Sequence, residues 1–391
     1  MKKSLLSLLL GGLTIGITEF VMMGLLPDIA SDLKISIPVA GYLISAYALG
    51  VVIGAPLIVI IARNEPPKKI LLILAAMLVF FNSLSIIAPS YSLLFISRLL
   101  SGLPHGAFFG VGAVVATRLA DKGKEAQAIS IMFSGLTIAN LAGVPIGTYI
   151  GHHFAWRYTF IIIAFIGMIT FVALYFWMPN LEARAKQTVK SQLQFFKRPE
   201  AWLVILITAI GTGGLFCWIS YIAPLLTEVS QFSASDVSYI LVLAGLGMVI
   251  GNLIGGKLTD QFSPEITIIS ILLFLSVDLI LVYLFSSNQY VSLLLVFTTG
   301  CISFSIGAPI QMLMIKTAVG SEMIASAAIQ AAFNVGNALG AFLGGLPLVA
   351  GLSYATPNLV GVVMALSGVF FTTIFLQRKR RILKWQKNQI C

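Results

Sequence analysis

The chain has 391 residues, and its composition argues against a water-soluble domain. Hydrophobic residues make up 58% of the chain and charged residues 10%, whereas soluble domains carry about 25% charged residues. A soluble protein this apolar could not cover its own surface with polar groups. The apolar runs are about 20 residues or longer, which suits spanning helices rather than the short alternating strands of a membrane β-barrel. The composition therefore predicts an all-α polytopic membrane protein.

Twelve apolar runs follow one another along the chain. They cover residues 5–30, 41–62, 70–88, 93–117, 126–150, 158–178, 202–226, 237–258, 266–285, 291–315, 323–350 and 359–376. The first run follows Met-Lys-Lys, as in a signal peptide, but it is too long for one and no convincing cleavage site follows. We therefore predict twelve transmembrane helices, of which the first is retained.

The net charge of +10 is distributed in a way that predicts orientation. If the N-terminus lies in the cytoplasm, all but three of the 24 Lys and Arg residues fall in cytoplasmic segments. The exceptions are Lys34 and Arg157 in outer loops and Arg98 inside a span. Positive charge concentrates on the cytoplasmic side of membrane proteins, so both termini are expected there. The basic surface then meets anionic lipid, and no nucleic-acid partner is expected.

The chain divides into two halves that resemble each other. A polar, basic loop at residues 179–201 separates six apolar runs in residues 1–178 from six in residues 202–391. Many residues recur after a constant spacing of 197 positions. The recurring pairs include Gly16 and Gly213, Pro27 and Pro224, Tyr42 and Tyr239, Gly50 and Gly247, Gly54 and Gly251, Glu125 and Glu322, Asn140 and Asn337, Gly143 and Gly340, and Gly147 and Gly344. Two parallel six-helix repeats predict a transport site between the halves, near the middle of the membrane.

The sequence offers no enzyme chemistry. The three cysteines and three histidines form no metal-binding motif. Residues 251–257 match the start of a phosphate-binding loop, but Leu258 replaces the required Ser or Thr and the stretch lies in a span. No nucleophile motif or carboxylate pair is evident. We predict a protein that is not an enzyme, has no cofactor and no metal, and draws its energy from a proton gradient.

Three ionisable residues inside the spans are candidate functional residues, and two of them, Glu19 and His105, are of types that can carry protons. Glu19 lies in the middle of the first run, where a carboxylate is costly unless it faces a cavity or is satisfied by neighbouring hydroxyls. Arg98 cannot be neutralised and needs water or a partner, although its side chain could also reach the outer headgroups. His105 follows two turns later on the same face, about 10 Å away. Its imidazole suits a proton relay, or else a packed and hydrogen-bonded position.

Asp278 is an ionisable span residue to which the sequence assigns no role. It lies in the centre of the ninth run. An ionised aspartate facing lipid is not expected. The side chain is therefore expected to be protonated or turned toward a neighbouring helix.

Further span residues are candidates for the cavity wall or for helix packing. The cavity candidates are Thr18, Met22, Met23, Phe108, Trp218, Tyr221, Gln311, Gln330 and Asn334, because polar, aromatic and Met side chains form adaptable linings. The packing or gating candidates are Gly54, Gly143, Pro145, Gly147, Asp260, Gly340 and Gly344, since small residues let helices approach closely. Asn140 and Asn337 recur by repeat beside glycines, which favours a role in joining helices.

Three segments resemble a known family. They are residues 16–28 (Gly-Ile-Thr-Glu-Phe-Val-Met-Met-Gly-Leu-Leu-Pro-Asp), residues 98–110 (Arg-Leu-Leu-Ser-Gly-Leu-Pro-His-Gly-Ala-Phe-Phe-Gly) and residues 331–340 (Ala-Ala-Phe-Asn-Val-Gly-Asn-Ala-Leu-Gly). They resemble spans one, four and eleven of major facilitator exporters. The resemblance is greatest to the arabinose-efflux-permease and chloramphenicol-resistance branch of the twelve-span drug:proton antiporters. It implies the major facilitator fold, the bacterial cytoplasmic membrane, and a coupling role for the acidic residue of span one and the arginine of span four.

The chain departs from that family in two motifs. The usual loop after span two, Gly-x-Leu-Ala-Asp-Arg-x-Gly-Arg-Lys, reads Val-Ile-Ile-Ala-Arg-Asn-Glu-Pro-Pro-Lys-Lys at residues 59–69, without the Gly and the Asp. The second half keeps more of the motif, as Gly-Lys-Leu-Thr-Asp at residues 256–260. The Gly-Pro-x-x-Gly-Gly signature of span five is only approximated by residues 143–147.

These patterns together predict a secondary active transporter. It is expected to export a small organic solute (a sugar, a nucleoside or a drug) in exchange for protons, by alternating access. An importer or facilitator of the same fold and a non-transporting sensor remain as alternatives, because a fold does not fix direction or function. The expected partners are the solute, protons and the lipid bilayer, and the protein is expected to be a monomer. A single acidic cavity residue favours neutral or cationic cargo.

Overall fold

The computed structural model describes residues 2–35, 37–182, 188, 190 and 193–390, and every regular element in these ranges is helical. Twelve helices are long and apolar enough to cross a membrane within the described residues. They are α1 (Lys3–Asp32), α2 (Ile37–Ile61), α3 (Pro67–Ile86), α4 (Tyr91–Leu119), α5 (Glu125–His153), α6 (Trp156–Trp177), α7 (Pro199–Ile219), α8 (Ala234–Gln261), α9 (Pro264–Phe285), α10 (Gln289–Thr317), α11 (Glu322–Val349) and α12 (Pro357–Ile390). The twelve predicted spans are confirmed. Arg184 and Lys186 of the predicted linker lie outside the described residues.

Local sequence explains where the helices begin. Pro67, Pro199 and Pro264 occupy the first turn of α3, α7 and α9, where a missing amide hydrogen costs nothing. The Ser90 hydroxyl accepts a hydrogen bond from the Leu93 amide, and Asn288 likewise accepts from the first amides of α10. Short polar or proline-containing caps therefore separate apolar runs that would otherwise merge.

Three helices are interrupted near the middle of the bundle. A single π turn at Ala139–Gly143 precedes Pro145 in α5, because proline cannot donate the next helical hydrogen bond. A π turn at Ile207–Gly211 interrupts α7, whose chain then continues through Ile222–Pro224 to a second π turn. The predicted run 202–226 is thus not one regular helix. In α10 the helix breaks between Phe304 and Gly307.

Glycines repeat the same close packing in the two halves, which are α1–α6 and α7–α12. A Cβ atom on Gly102 of α4 would overlap the backbone carbonyl of Tyr47 on α2. On α10, Gly300 would meet the carbonyl of Ala244 on α8 in the same way. The backbones of these helix pairs therefore approach at matching positions, as small residues permit. The two six-helix bundles are parallel repeats, as predicted.

The two ends of the bundle differ in what joins the halves. The termini end carries Lys2 and the last turns of α12, and there Asp260 of α8 contacts the first turn of α5. At the opposite, distal end, the ion pair of Arg157 with Asp32 lies within the first half. The Ser230 hydroxyl donates to the Ser286 carbonyl within the second half. The halves are thus joined at the termini end, and a cleft lies between them.

Candidate transport cleft

A cleft with about 760 Å³ of empty space lies between the two halves at the middle of the bundle. Its lining combines polar side chains with phenylalanines. The lining residues are Glu19, Phe20, His105, Phe133, Leu136, Thr212, Leu215, Phe216, Asn252, Ser303, Phe304, Ile306, Gly307, Gln330, Phe333, Asn334 and Asn337. Both halves contribute, as a site between two repeats requires. The structure brings Glu19, His105, Gln330 and Asn334 of the predicted site together here.

Glu19 presents the carboxylate of the first half to the cleft. Its side chain is half-buried, and among the described residues no donor hydrogen-bonds its oxygens. The neighbouring Thr18 hydroxyl, which the sequence analysis considered as a cavity group, donates instead to the Thr14 carbonyl, 2.7 Å away. The carboxylate is therefore accessible to ligands and protons that enter the cleft.

Arg98 is buried beside this carboxylate. Its Nη1 donates to the Thr18 carbonyl at 2.8 Å, one residue from Glu19. The guanidinium carbon lies 4.5 Å from the ring centroid of Tyr47, a cation–π contact. The side chain is fully buried, so it does not reach the headgroups. Within the described part of the chain, its Nε and Nη2 have no hydrogen-bond partner. Two strong donors are thus held ready for an acceptor.

Tyr47 joins Arg98 to His105 and was missed by the sequence analysis. Its hydroxyl and His105 Nδ1 form a 3.1 Å hydrogen bond. The imidazole also meets the Phe109 ring edge-on at a centroid distance of 5.3 Å. The repeat contained a signal that could have identified Tyr47. Tyr42 recurs as Tyr239, 197 positions later, whereas the residue at the same spacing from Tyr47 is Ala244. A buried polar residue without a repeat partner marks a specialised position.

The wall from the second half carries amides and hydroxyls. Gln330, Asn334 and Asn337 lie along one face of α11, since positions three and four apart share a helix face. Thr212 and Ser303 add hydroxyls beside the interruptions of α7 and α10. Asn337 was expected to join helices, and the structure instead places it on the cleft. Asn140, the equivalent residue in the first half, donates to the Leu136 carbonyl within its own helix.

Several predicted cavity residues do not line the cleft. Thr18, Met22, Phe108, Trp218 and Gln311 are buried behind the wall, with at most 1% of their surface exposed. The Phe108 ring packs against Gly11 of α1. Gln311 donates to the Ser326 hydroxyl and accepts from Gln330.

Two further cavity candidates also lie elsewhere. The Tyr221 hydroxyl donates to the Ala341 carbonyl at 2.6 Å and packs against Gly345. Met23 is half exposed but lies outside the lining. Aromatic side chains fill gaps between helices as well as cavity walls, and Tyr221 does the former.

The predicted packing residues lie at close helix contacts. A Cβ atom on Gly54 would overlap Leu103 of α4, one on Gly143 would meet Ile17 of α1 at 2.5 Å, and one on Gly147 would meet Val21. Gly340 and Gly344 of α11 similarly approach Gly213 and Cys217 of α7. Pro145 lies two residues after the end of the π turn of α5. Asp260 differs from these residues, because its carboxylate accepts from the Ala126 and Gln127 amides at 2.8 and 2.9 Å.

Asp278 lies away from the cleft, between α9 and α10. Its carboxyl oxygens meet the hydroxyls of Thr298 at 2.7 Å and Thr299 at 2.5 Å. The side chain is thus turned toward a neighbouring helix, one of the two arrangements that the sequence left open. It forms no part of the lining.

Residues 8–344 match the family model of the major facilitator superfamily. The chain belongs to this superfamily. It is 40% identical to the transporter AraJ of Escherichia coli over 382 residues, which cover 97% of both chains. It is 39% identical to the inner membrane transport protein YdhP of the same species, with 96% of both chains covered. The chain is therefore a multi-pass inner membrane transporter and not an enzyme.

Two further relatives carry names that mention a cargo. The chain is 31% identical to a sugar efflux transporter of Helicobacter pylori, over 90% of both chains. It is 30% identical to the chloramphenicol resistance protein of Streptomyces lividans, over 88% of both chains. The suspected branch is thereby confirmed. Among solved structures, the fucose:proton symporter FucP of E. coli matches with a TM-score of 0.76 at 14% identity, over 95% of this chain and 98% of that chain, which confirms the fold alone.

Proposed function

We propose that this superfamily member exports a small organic solute in exchange for protons by alternating access. The observation that carries the proposal is the presence of Glu19 and His105 in one cleft between halves that are joined at the termini end. A cleft closed at one end exposes its carboxylate to a single side of the membrane. With both termini in the cytoplasm, as the Lys and Arg distribution favours, that side is the exterior.

Arg98 gives the carboxylate two distinct environments. When Glu19 is protonated, it is neutral and needs no ion partner. When Glu19 loses its proton, the free Nε and Nη2 donors of Arg98 offer the anion a charge-assisted hydrogen bond. Tyr47 holds both Arg98 and His105 in place. Proton binding and release therefore change the contacts of α1 with α4, which is the link that exchange transport requires.

The lining favours a neutral or cationic cargo with hydroxyl or amide groups. The amides of Asn252, Gln330, Asn334 and Asn337 can donate and accept hydrogen bonds. Five phenylalanines line the cleft as well and suit the apolar face of a sugar, nucleoside or drug. The relatives named for sugar efflux and chloramphenicol resistance support this range. Residues 1–178 and 202–391 would rock as two bodies about the 179–201 linker, in a monomer.

Inside-out vesicles loaded with a pH-sensitive dye test the proposal. After energisation, sugars, nucleosides and drugs are added singly, and proton efflux is compared between wild type and Glu19→Gln. We expect one compound class to trigger efflux in wild type only. The matched control is Asp278→Asn, which neutralises a span carboxyl outside the cleft and should retain efflux. Normal proton efflux in Glu19→Gln would contradict the coupling role of Glu19. Solute uptake by counterflow without a proton gradient would replace the proposal with a facilitator.

A further inference from the structure

Asn252 of α8 belongs at once to the cleft and to the contact between the halves. It is part of the lining, yet only 2% of its surface is exposed. Its Nδ2 donates to the Ser130 carbonyl at 2.8 Å and to the Ser134 hydroxyl at 3.1 Å, both on α5. The Ser130 hydroxyl in turn donates to the backbone carbonyl of Asn252. Both amide hydrogens of this cleft residue are therefore used to hold the other half.

The same face of α8 continues this contact to the termini end. Gly256, one turn further, packs against Ser130. Asp260, two turns further, accepts from the Ala126 and Gln127 amides at the start of α5. A carboxylate is stabilised there by the partial positive charge of a helix N-terminus. We call these contacts of residues 252, 256 and 260 with α5 the polar seam. It connects the floor of the cleft with the closed end.

The equivalent contact between α2 and α11 has a different chemistry. Ala55 and Val59 of α2 belong to one buried apolar cluster with Met323 and Ala327 of α11. By the repeat spacing, Ala55 and Val59 correspond to Asn252 and Gly256. At these two positions, the contact between α2 and α11 has no side-chain group that a cargo hydroxyl could bind, whereas Asn252 has an amide. A cargo can therefore exchange hydrogen bonds at Asn252 and not at the equivalent Ala55.

We propose that Asn252 is the residue through which cargo loosens the polar seam, an inference that rests on the proposed function. An asparagine amide has two donor hydrogens, and α5 engages both. A cargo group that takes one of them leaves Ser130 or Ser134 to another partner. The total number of hydrogen bonds then changes little, because the bond to cargo replaces one bond between α8 and α5. The contact between α5 and α8 is weakened by that one bond. Cargo binding thus lowers the cost of opening the termini end, and the carrier that holds neither cargo nor proton stays closed.

The first test needs no cargo and no proton gradient. Spin labels are placed at the exposed residues Lys122, just beyond the end of α4, and Gln261, the last residue of α8. They report the distance across the polar seam in lipid nanodiscs. Cys217, Cys301 and Cys391 are replaced first. We expect Asn252→Ala to raise the ratio of long to short distances roughly threefold to tenfold, the effect of losing one or two hydrogen bonds. Ser134→Ala, a milder change, should shift the ratio in the same direction.

The matched control is Asn337→Ala, which also removes an amide from the cleft but touches no part of the polar seam. It should leave the distance ratio unchanged. An unchanged ratio in folded Asn252→Ala and Ser134→Ala, or an equal shift in Asn337→Ala, would overturn the inference.

The second test measures whether the termini end of the Asn252→Ala variant opens without cargo. Without any solute, vesicles with Asn252→Ala should leak protons several-fold faster than wild-type vesicles, because the seam opens unprompted. If the seam opens and no leak follows, the role of Asn252 in cargo control is overturned. If the double variant Asn252→Ala with Glu19→Gln leaks protons as fast as Asn252→Ala alone, the proton route of the proposed function is contradicted instead. The two failures are thereby distinguished.

Discussion

The two halves of the molecule share their backbone packing and differ in their charge. Gly102 of α4 and Gly300 of α10 both approach a backbone carbonyl of the neighbouring helix, those of Tyr47 and Ala244. These contacts define equivalent positions independently of side-chain chemistry. A Cβ atom at either glycine would force the helix pair apart.

The equivalent positions on the cleft carry different chemistry. Glu19 and His105 line it from the first half, three residues after Gly16 and Gly102. Phe216 and Ser303 line it from the second half, three residues after Gly213 and Gly300. Behind them, Ala244 lies 197 positions after Tyr47, and Val296 lies four residues before Gly300 as Arg98 lies four before Gly102. On the proposed function, the first half handles the proton and the second half binds cargo through its amides.

Moving the carboxylate between the halves gives the largest expected effect. Glu19→Gln should lower cargo-driven proton release roughly a hundredfold, the scale of losing a positioned acid–base group. Adding Phe216→Glu should not restore it, because Val296 takes the place that Arg98 occupies beside Glu19. Proton release from inside-out vesicles measures both variants. Recovery in the double variant would show that the halves are interchangeable.

Adding a methyl group at the equivalent glycines tests the shared packing. Gly102→Ala and Gly300→Ala should each destabilise the fold by about 1–3 kcal/mol, the usual cost of overpacking. Thermal unfolding in detergent measures the loss. Gly123→Ala is not a suitable control, because Gly123 has a φ of 80°. Gly41→Ala is suitable, since a Cβ atom there meets nothing within 4 Å. A loss in only one half would contradict the equivalence.

Removing one hydroxyl should have a smaller effect. Tyr47→Phe keeps the ring under Arg98 but removes the hydrogen bond to His105. A hydrogen bond contributes about 0.5–1.5 kcal/mol. The rate of cargo-driven proton release should therefore fall roughly twofold to tenfold. Tyr42→Phe, which changes an exposed tyrosine on the same helix, should leave this rate unchanged. An unchanged rate in Tyr47→Phe would remove the contact between Tyr47 and His105 from the coupling path.

The smallest effect is expected at an exposed ion pair of the first half. The Lys2 ammonium, 2.7 Å from Asp121, holds the pKa of that carboxyl below its usual range. The pair therefore stabilises the fold above the unfolded pKa of about 3.9, and its contribution is lost as the pH falls through the folded pKa.

Lys2→Ala should accordingly lower the unfolding temperature slightly at pH 7 and not at all at strongly acidic pH. High salt should erase the difference. Lys122→Ala, an exposed lysine of the same end, serves as the control. A drop of several degrees that persists in high salt would show that Lys2 acts through packing.

The sequence alone determined the spans, the repeat and the two ionisable residues of the cleft. Twenty-residue apolar runs are local features, and the hydrocarbon thickness fixes their meaning. A charge in such a run is costly enough that Glu19 and His105 stand out without any structure. The recurrence of glycines after 197 positions likewise indicated the parallel repeat from the sequence alone.

Only the tertiary structure decided which neighbouring side chains reach the cleft. Glu19 lines it whereas Thr18 and Met22 are buried, and Asn337 and Asn252 line it although the sequence favoured neither. In a soluble helix, a polar stripe would reveal the solvent-facing side. In a membrane, lipid and protein interior are equally apolar, so the sequence carries little signal for the orientation of a helix face. The rotation of each helix is set by glycine contacts with its neighbours, and these exist only once the bundle has assembled.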